Sequence, residues 1–331
     1  MKSLFPFVAL AASIAALTTA SAQIGGNHER EGVGKRAEAQ LALLAAGISP
    51  YRDFEVARAR GWKQFAGEDT PLMGEHWFRE GGPDYVHGDR IDFAQPSNLM
   101  YTKIDGRRVL TGVAFTVRLA PSEPVPAGFD GPNDKWHVHD FERAIKAALQ
   151  DRPVLRWLAN GWLNRNYRDK GDNRGRIAMV HAWVTLPNPD GVFADYNRAL
   201  PYLKLGLPAA HAQGASVEAA KGLNLATSTG CKDGVNGALW IGNANGETTK
   251  RIRAACATAA AHVREGLASG DKSRINAMGE HGWAMFDAAW NRELTATQRQ
   301  RIAAMNEHGE GHGGHSHRDQ SGSPHRHEQH D

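Results

Sequence analysis

Residues 98–119 read NLMYTKI, then DG, then RRVLTGVAFTVRL. Two β-prone runs flank Asp105-Gly106, and both turn residues tolerate positive φ. The stretch therefore predicts an antiparallel hairpin of Asn98–Ile104 with Arg107–Leu119. Alternation in the second run puts Val109, Thr111, Val113, Phe115 and Val117 on one face. A third strand is expected over Arg176–Leu186, with Met179, His181 and Trp183 on one side and Val180, Ala182 and Val184 on the other. The hairpin is local and no strand-helix-strand rhythm repeats. The fold class is accordingly α+β: a mainly antiparallel sheet wrapped by helices over 71–205, followed by a helical C-terminal region over 206–306.

Helical patterns surround this sheet. His28–Ala46 is amphipathic and expected to stop at Gly47, and a second helical piece fits Tyr51–Phe65, so 23–70 reads as an N-terminal helical segment. Asp140–Leu163 also reads as helical, although Pro153 must either begin a new helix or kink one, because a proline interrupts a helix from inside. Glu247–Leu267, Ser273–Trp290 and Thr295–Asn306 follow as helices, the last capped by Thr295 or Thr297. Residues 307–331 are low in complexity and expected to be disordered, with almost nothing apolar to bury. The 39 basic and 36 acidic side chains nearly cancel, which removes the electrostatic footprint of a nucleic-acid-binding protein.

The chain starts Met1-Lys2-Ser3, continues with an apolar run over Leu4–Leu17, and reaches Ala20-Ser21-Ala22. A positive start, a short apolar stretch and a small-x-small site predict a secretory signal peptide over 1–22, hence a periplasmic or secreted protein. No later stretch is apolar enough to span a bilayer, so no membrane span is expected in the mature protein. Cys231 and Cys256 are its two cysteines, and in an exported chain they are expected to form a disulfide.

Sixteen histidines against two cysteines give the chemistry its direction. In Asp134-Lys135-Trp136-His137-Val138-His139-Asp140, an extended backbone points His137 and His139 to one side, where both can chelate one ion. His76, preceded by Glu75, and His181, with Trp183 on the same face as a wall against water, lie in the same Gly- and aromatic-rich region. The expected core metal set is His76, His137, His139 and His181, or three of these with Glu75. Imidazole suits zinc and copper, and binding is expected to weaken as pH falls through roughly 6.5, since ligands must be deprotonated. His308, His312, His315, His317, His325, His327 and His330 alternate with Gly, Ser and acids in the tail, a composition that reads as a loose metal collector. Sequences for a nucleophile elbow, a zincin helix or a phosphate loop are absent.

Several motifs occur in a fixed order: Met73-Gly74-Glu75-His76-Trp77, Pro96 to Tyr101, Gly112-Val113-Ala114-Phe115, Trp136-His137-Val138-His139, His181-Ala182-Trp183 and Asn188-Pro189-Asp190-Gly191-Val192-Phe193. The order resembles a family of uncharacterised exported bacterial proteins with the pattern M-G-x-H-[YW], P-x-x-L-x-Y, G-V-x-[YF], H-x-W and N-P-x-G-x-F. The resemblance spans roughly 71–202. It implies a single exported domain with His76 and His181 in comparable places, and it implies no reaction.

The leading functional expectation is an exported protein that binds zinc or copper for collection or homeostasis, with metal ions as its partners. A metal-dependent enzyme using the same core residues is the alternative, with Glu75, Asp134 and Asp140 as acid-base candidates. A third reading, prompted by the many Trp and Tyr, is a non-metal carbohydrate- or envelope-binding module. Sequence alone leaves catalysis, oligomeric state and any protein partner undecided.

Overall fold

The computed structural model describes residues 34–120, 123–130, 134–167, 176–306 and 308–309. The expected signal peptide and most of the histidine tail lie outside these residues. The elements run α1 (Lys35–Ile48), α2 (Phe54–Ala59), β1 (Trp62–Thr70), β2 (Gly74–Arg79), β3 (Tyr85–Val86), β4 (Asn98–Ile104), β5 (Arg107–Arg118) and β6 (His137–Asp140). They continue with α3 (Phe141–Ala148), α4 (Pro153–Tyr167), β7 (Arg176–Ala182), α5 (Ala199–Lys204), α6 (Val217–Ala226), α7 (Asp233–Ile241), α8 (Gly246–Leu267), α9 (Lys272–Glu293), α10 (Ala296–Asn306) and β8 (His308–Gly309). The fold is α+β, with one sheet in the order β1-β2-β4-β5-β7-β6-β8. Its pairings are antiparallel except for the short β3, which runs parallel to β5.

The hairpin that decided the fold class forms β4 and β5, with Asp105 and Gly106 both at positive φ in the turn. One expectation within it fails. Leu99 pairs with Val113 and Met100 with Gly112, but Tyr101 pairs with Leu110, so Thr111 is an extra residue in a β-bulge. The bulge resets the alternation. Val113, Phe115 and Val117 reach the core together with Leu110 rather than with Val109 and Thr111, and the Thr111 hydroxyl instead donates to the Met100 carbonyl at 3.0 Å.

The sheet also begins earlier than 71. Of the expected 51–65 helix, a 3-10 turn over Ser49–Arg52 covers the first two residues and Phe54–Ala59, capped by Asp53, is α-helical, and the chain then enters β1 at Trp62. Trp62 is buried against Tyr51, their ring centres 5.5 Å apart, and this packing outweighs local helix preference. Nor does α1 stop at Gly47. Gly47 is the penultimate residue of α1 and passes close to another segment, where a Cβ would lie 2.3 Å from the Ala94 carbonyl oxygen. β7 ends at Ala182, four residues short of the expected strand end.

One face of the sheet carries the main core: Leu99, Tyr101, Val113, Phe115, Ala178 and Val180, covered by Leu44 and Ile48 of α1. After the sheet, α6, α8 and α9 pack on one another to form the expected helical region around Leu223, Ala259 and Phe286. A buried ion pair joins the two halves, with Lys204 Nζ donating to both Asp69 carboxylate oxygens at 2.8 and 2.9 Å. The Cys231–Cys256 disulfide ties the loop before α7 to α8, as expected for the chain's two cysteines. Among the described residues no helix is long and apolar enough to cross a membrane.

The tail departs from its expected start. His308 and Gly309 pair with His139 and Val138, so the chain leaves α10 and adds a two-residue strand to the sheet edge.

Candidate metal centre

Strand alternation builds the site on the face opposite the main core. His76 pairs with Met100, Ala114 with His181, and His137 with Met179, so three imidazoles from β2, β7 and β6 point to the same side. The ring centres of His76 and His181 lie 5.7 Å apart, those of His181 and His137 5.2 Å, and those of His137 and His139 4.9 Å. His137 and His181 are 5% and 1% exposed, whereas His76 and His139 are half-buried.

A turn and a folded loop hold these rings. Gly74, at φ +88°, starts β2 where a Cβ would lie 2.5 Å from the Tyr101 carbonyl oxygen. Only glycine sets His76 this close to β4. After β7 the chain 183–198 doubles back over the strand. Its bonds run from Trp183 N to the Val192 carbonyl (2.8 Å), from the Trp183 indole to the Ala194 carbonyl (2.6 Å), and from Asn188 Nδ2 to the Tyr196 carbonyl (2.8 Å). Arg198 pins the loop from the other side through Asp190. Trp183, Met100, Ala114 and Leu200 form a small apolar cluster, and the Trp183 ring lies 5.9 Å from that of His181.

That loop delivers a residue the sequence reading missed. The backbone carbonyl of Asp195 accepts a hydrogen bond from His181 Nδ1 at 2.8 Å, and Asp195 Oδ1 lies 3.4 Å from His137 Nδ1. No motif flags Asp195, because only the doubling back of the loop brings it beside β6 and β7. A carbonyl only accepts, so His181 carries its proton on Nδ1 and presents a lone pair at Nε2. Nε2 is buried and has no hydrogen-bond partner.

Burial sets the charge of the cluster. Desolvation pushes the His76 pKa down to about 4, partly opposed by a hydrogen bond to the Gly74 backbone and reinforced by His137. Desolvation, then the neighbouring His76 and His137, holds His181 well below the ordinary imidazole value. Both rings are therefore held neutral at pH 6.5 in the metal-free protein.

The other candidates are engaged elsewhere. Glu75 follows strand alternation to the opposite face, where it accepts from Trp77 Nε1 (3.0 Å) and Arg108 Nε (2.6 Å), with Lys103 Nζ 3.9 Å away. It cannot ligate an ion held by His76, and its ion pairs suit it poorly to acid-base work. Asp140 caps α3 by accepting from Arg143 N at 2.9 Å. Asp134 accepts from the Trp136 indole at 3.0 Å and lines a surface cleft with Arg36 and Gln40, where burial raises its pKa. His308 stands in register opposite His139, while His312, His315, His317, His325, His327 and His330 lie outside the described residues. Among the described residues no three His, Cys, Asp or Glu side chains form a ready-made metal-binding group.

Comparison with protein families, curated proteins and solved structures returns no match. The ordered motifs nevertheless share a location. Residues 73–77, 96–101, 112–115, 136–139, 181–183 and 188–193 supply β2, β4, β5, β6, β7 and the loop that surround the histidines.

Proposed function

We propose that the protein is an exported binder of a divalent or monovalent transition metal, zinc or copper, with His76, His137 and His181 as its core ligands. The observation that carries this reading is the state of His181. A metal-bound histidine characteristically gives its second ring N–H to a carbonyl or carboxylate, which fixes the tautomer and aims the free lone pair. His181 makes that bond to Asp195 and leaves Nε2 buried without a partner. An unsatisfied buried acceptor costs about 1–3 kcal/mol, and an ion between the rings would offset it. Two imidazoles on one ion, with metal–nitrogen bonds of about 2.0–2.1 Å, have ring centres roughly 5 Å apart. The observed ring-centre spacings of 5.2 and 5.7 Å are close to that value. Asp195 supplies a carboxylate that would compensate part of the charge of a dication. Met100 and Met179, the register partners of His76 and His137, share that face, and a thioether sulfur among the ligands would favour copper.

The signal-like segment over 1–22 and the Cys231–Cys256 bridge support export to an oxidising compartment. The tail adds weaker, collecting ligands. The test is a competition titration of the purified chain against a chromogenic chelator, for Zn(II) and for Cu(I). His181→Ala should remove one tight equivalent and Glu75→Gln should remove none. Retention of the tight equivalent by His181→Ala, or its absence from the parent chain, would contradict the reading. N-terminal mass spectrometry of the exported fraction should find Gln23 as the first residue, and an intact Met1 there would contradict the export claim.

A further inference from the structure

A surface helix ordinarily turns its apolar stripe to the core, and α4 does the reverse. Val154, Trp157, Leu158 and Gly161 recur at helical spacing on one face, with Leu155 beside them. That face points outward: Val154 is 69% exposed, Leu155 42%, Trp157 73% and Leu158 52%. Ala159 and Asn160, on the other side of the helix, are half-buried. Trp240 of α7, 57% exposed, extends the ridge. Arg152, the residue before α4, ties the two together. Its Nη2 donates to the Trp240 carbonyl at 3.0 Å, and its guanidinium lies 4.9 Å from the centre of the indole ring. Five of the eight large apolar side chains exposed among the described residues thus gather around Arg152 and α4. Apolar residues exposed singly need no explanation, whereas a gathered patch marks an interaction site.

Charge selects the occupant. From Arg152 to Tyr167 the sequence carries arginines at 152, 156 and 165 and no acidic residue. Asp151, the acid just before this stretch, is engaged by Arg301 of α10. Arg156 is exposed next to Trp157. We propose that α4 and Trp240 form a docking ridge for an anionic phospholipid surface. Tryptophan and leucine favour the boundary between headgroups and acyl chains, while arginine favours anionic headgroups. A helix of this composition lies in the plane of the interface, its apolar side chains entering about 5–10 Å. It does not cross: α4 has 15 residues, too few for a hydrocarbon core of about 30 Å. A bilayer yields around a convex ridge, whereas a protein partner must offer a groove that matches it. Each arginine near an anionic surface raises the binding constant roughly fivefold, and the gain fades beyond a Debye length, so salt weakens it. The ridge rests on exposure and charge alone and is independent of the metal reading.

The test is flotation of the purified exported chain with large vesicles, made either of phosphatidylcholine alone or of equal parts phosphatidylcholine and phosphatidylglycerol. The parent should float with the anionic vesicles and bind the neutral ones about tenfold more weakly. Salt at about 1 M, where the Debye length is about 3 Å, should remove most of that difference. The triple change Val154→Ser, Trp157→Ser and Leu158→Ser should weaken binding to the anionic vesicles about tenfold or more. Its melting temperature should stay close to the parent's, because the altered side chains are exposed. Arg156→Glu reverses one charge and should weaken the same binding roughly tenfold or more without touching the apolar face. A parent that ignores anionic vesicles, equal binding to both vesicle types, or variants that bind as the parent does would each overturn the proposal. A parent that self-associates, loses that association in the triple variant and leaves vesicles unbound would overturn it in favour of a second copy of the chain.

Discussion

The two faces of one sheet are built from the same strands and put to different uses. On one face Leu99, Tyr101, Val113, Phe115 and Val180 interlock with α1, and the sole buried carboxylate of β2, Glu75, is fully engaged by Trp77 and Arg108. On the other, His76, His137 and His181 stand in contact, with an acceptor nitrogen left unsatisfied. Each face leaves a buried nitrogen without a partner, Trp62 Nε1 in the packed core and His181 Nε2 on the other, but an indole N–H can only donate, whereas the bare His181 lone pair is the one able to take an ion. On the proposed reading the first face supplies stability and the second holds the ion.

The largest effect should come from the packed face. Phe115→Ala removes a ring packed against Phe93 and Phe129 and should cost about 3–5 kcal/mol in denaturant unfolding. Its metal affinity, measured well below the unfolding midpoint, should stay within a few-fold of the parent. A large loss of affinity with the fold intact would erase the division between faces.

Acid should act through the histidine face. The folded His76 pKa is about 4 and the unfolded value roughly 6.5, so between those values the unfolded chain binds more protons. The stability held at neutral pH is therefore lost as pH falls from about 6.5 towards 4, by up to about 3 kcal/mol from His76, with His181 acting in the same direction. Metal-free unfolding curves at pH 7.5 and 5 check this. His76→Ala should flatten the dependence, whereas Phe115→Ala should shift both curves equally.

Adjacent residues on β2 sharpen the contrast further. Glu75→Gln breaks a largely buried ion pair with Arg108 and should cost about 1–3 kcal/mol without altering metal stoichiometry. The smallest effect should be His181→Ala in the metal-free protein. It loses one bond to the Asp195 carbonyl and also removes the orphaned Nε2, so its metal-free stability should change by about 1 kcal/mol or less while its metal-induced rise in melting temperature disappears.

Much of this division was legible from alternation alone. The β4–β5 hairpin, the extended His137–His139 segment and the Met179/His181/Trp183 face of β7 follow from period-two patterns and a two-residue turn, which are local signals. The disulfide and the α8–α10 helices were equally local in origin. What the sequence hid was non-local. The Thr111 bulge is visible only in the register between strands, and Trp62 enters a strand because Tyr51 and Arg79 pack round it. Glu75 reads as a ligand because it neighbours His76, yet one step along a strand is a change of face. Asp195 is brought in by a loop that folds over β7, and the pairing of His308 with β6 depends on where α10 ends. Long-range contacts of this kind leave no periodic trace.

The most direct test of the account is the X-ray absorption spectrum of the chain truncated after Gly309 and loaded with one equivalent of zinc. Removing 310–331 takes away no apolar residue and keeps β8, so the fold should survive, and the remaining ion should report the core alone. The account predicts a nearest shell of nitrogen and oxygen with the outer scattering of three imidazole rings, reduced to two or lost in His181→Ala. A shell of oxygens without ring scattering, or a spectrum unchanged by His181→Ala, would contradict a metal centre on the histidine face.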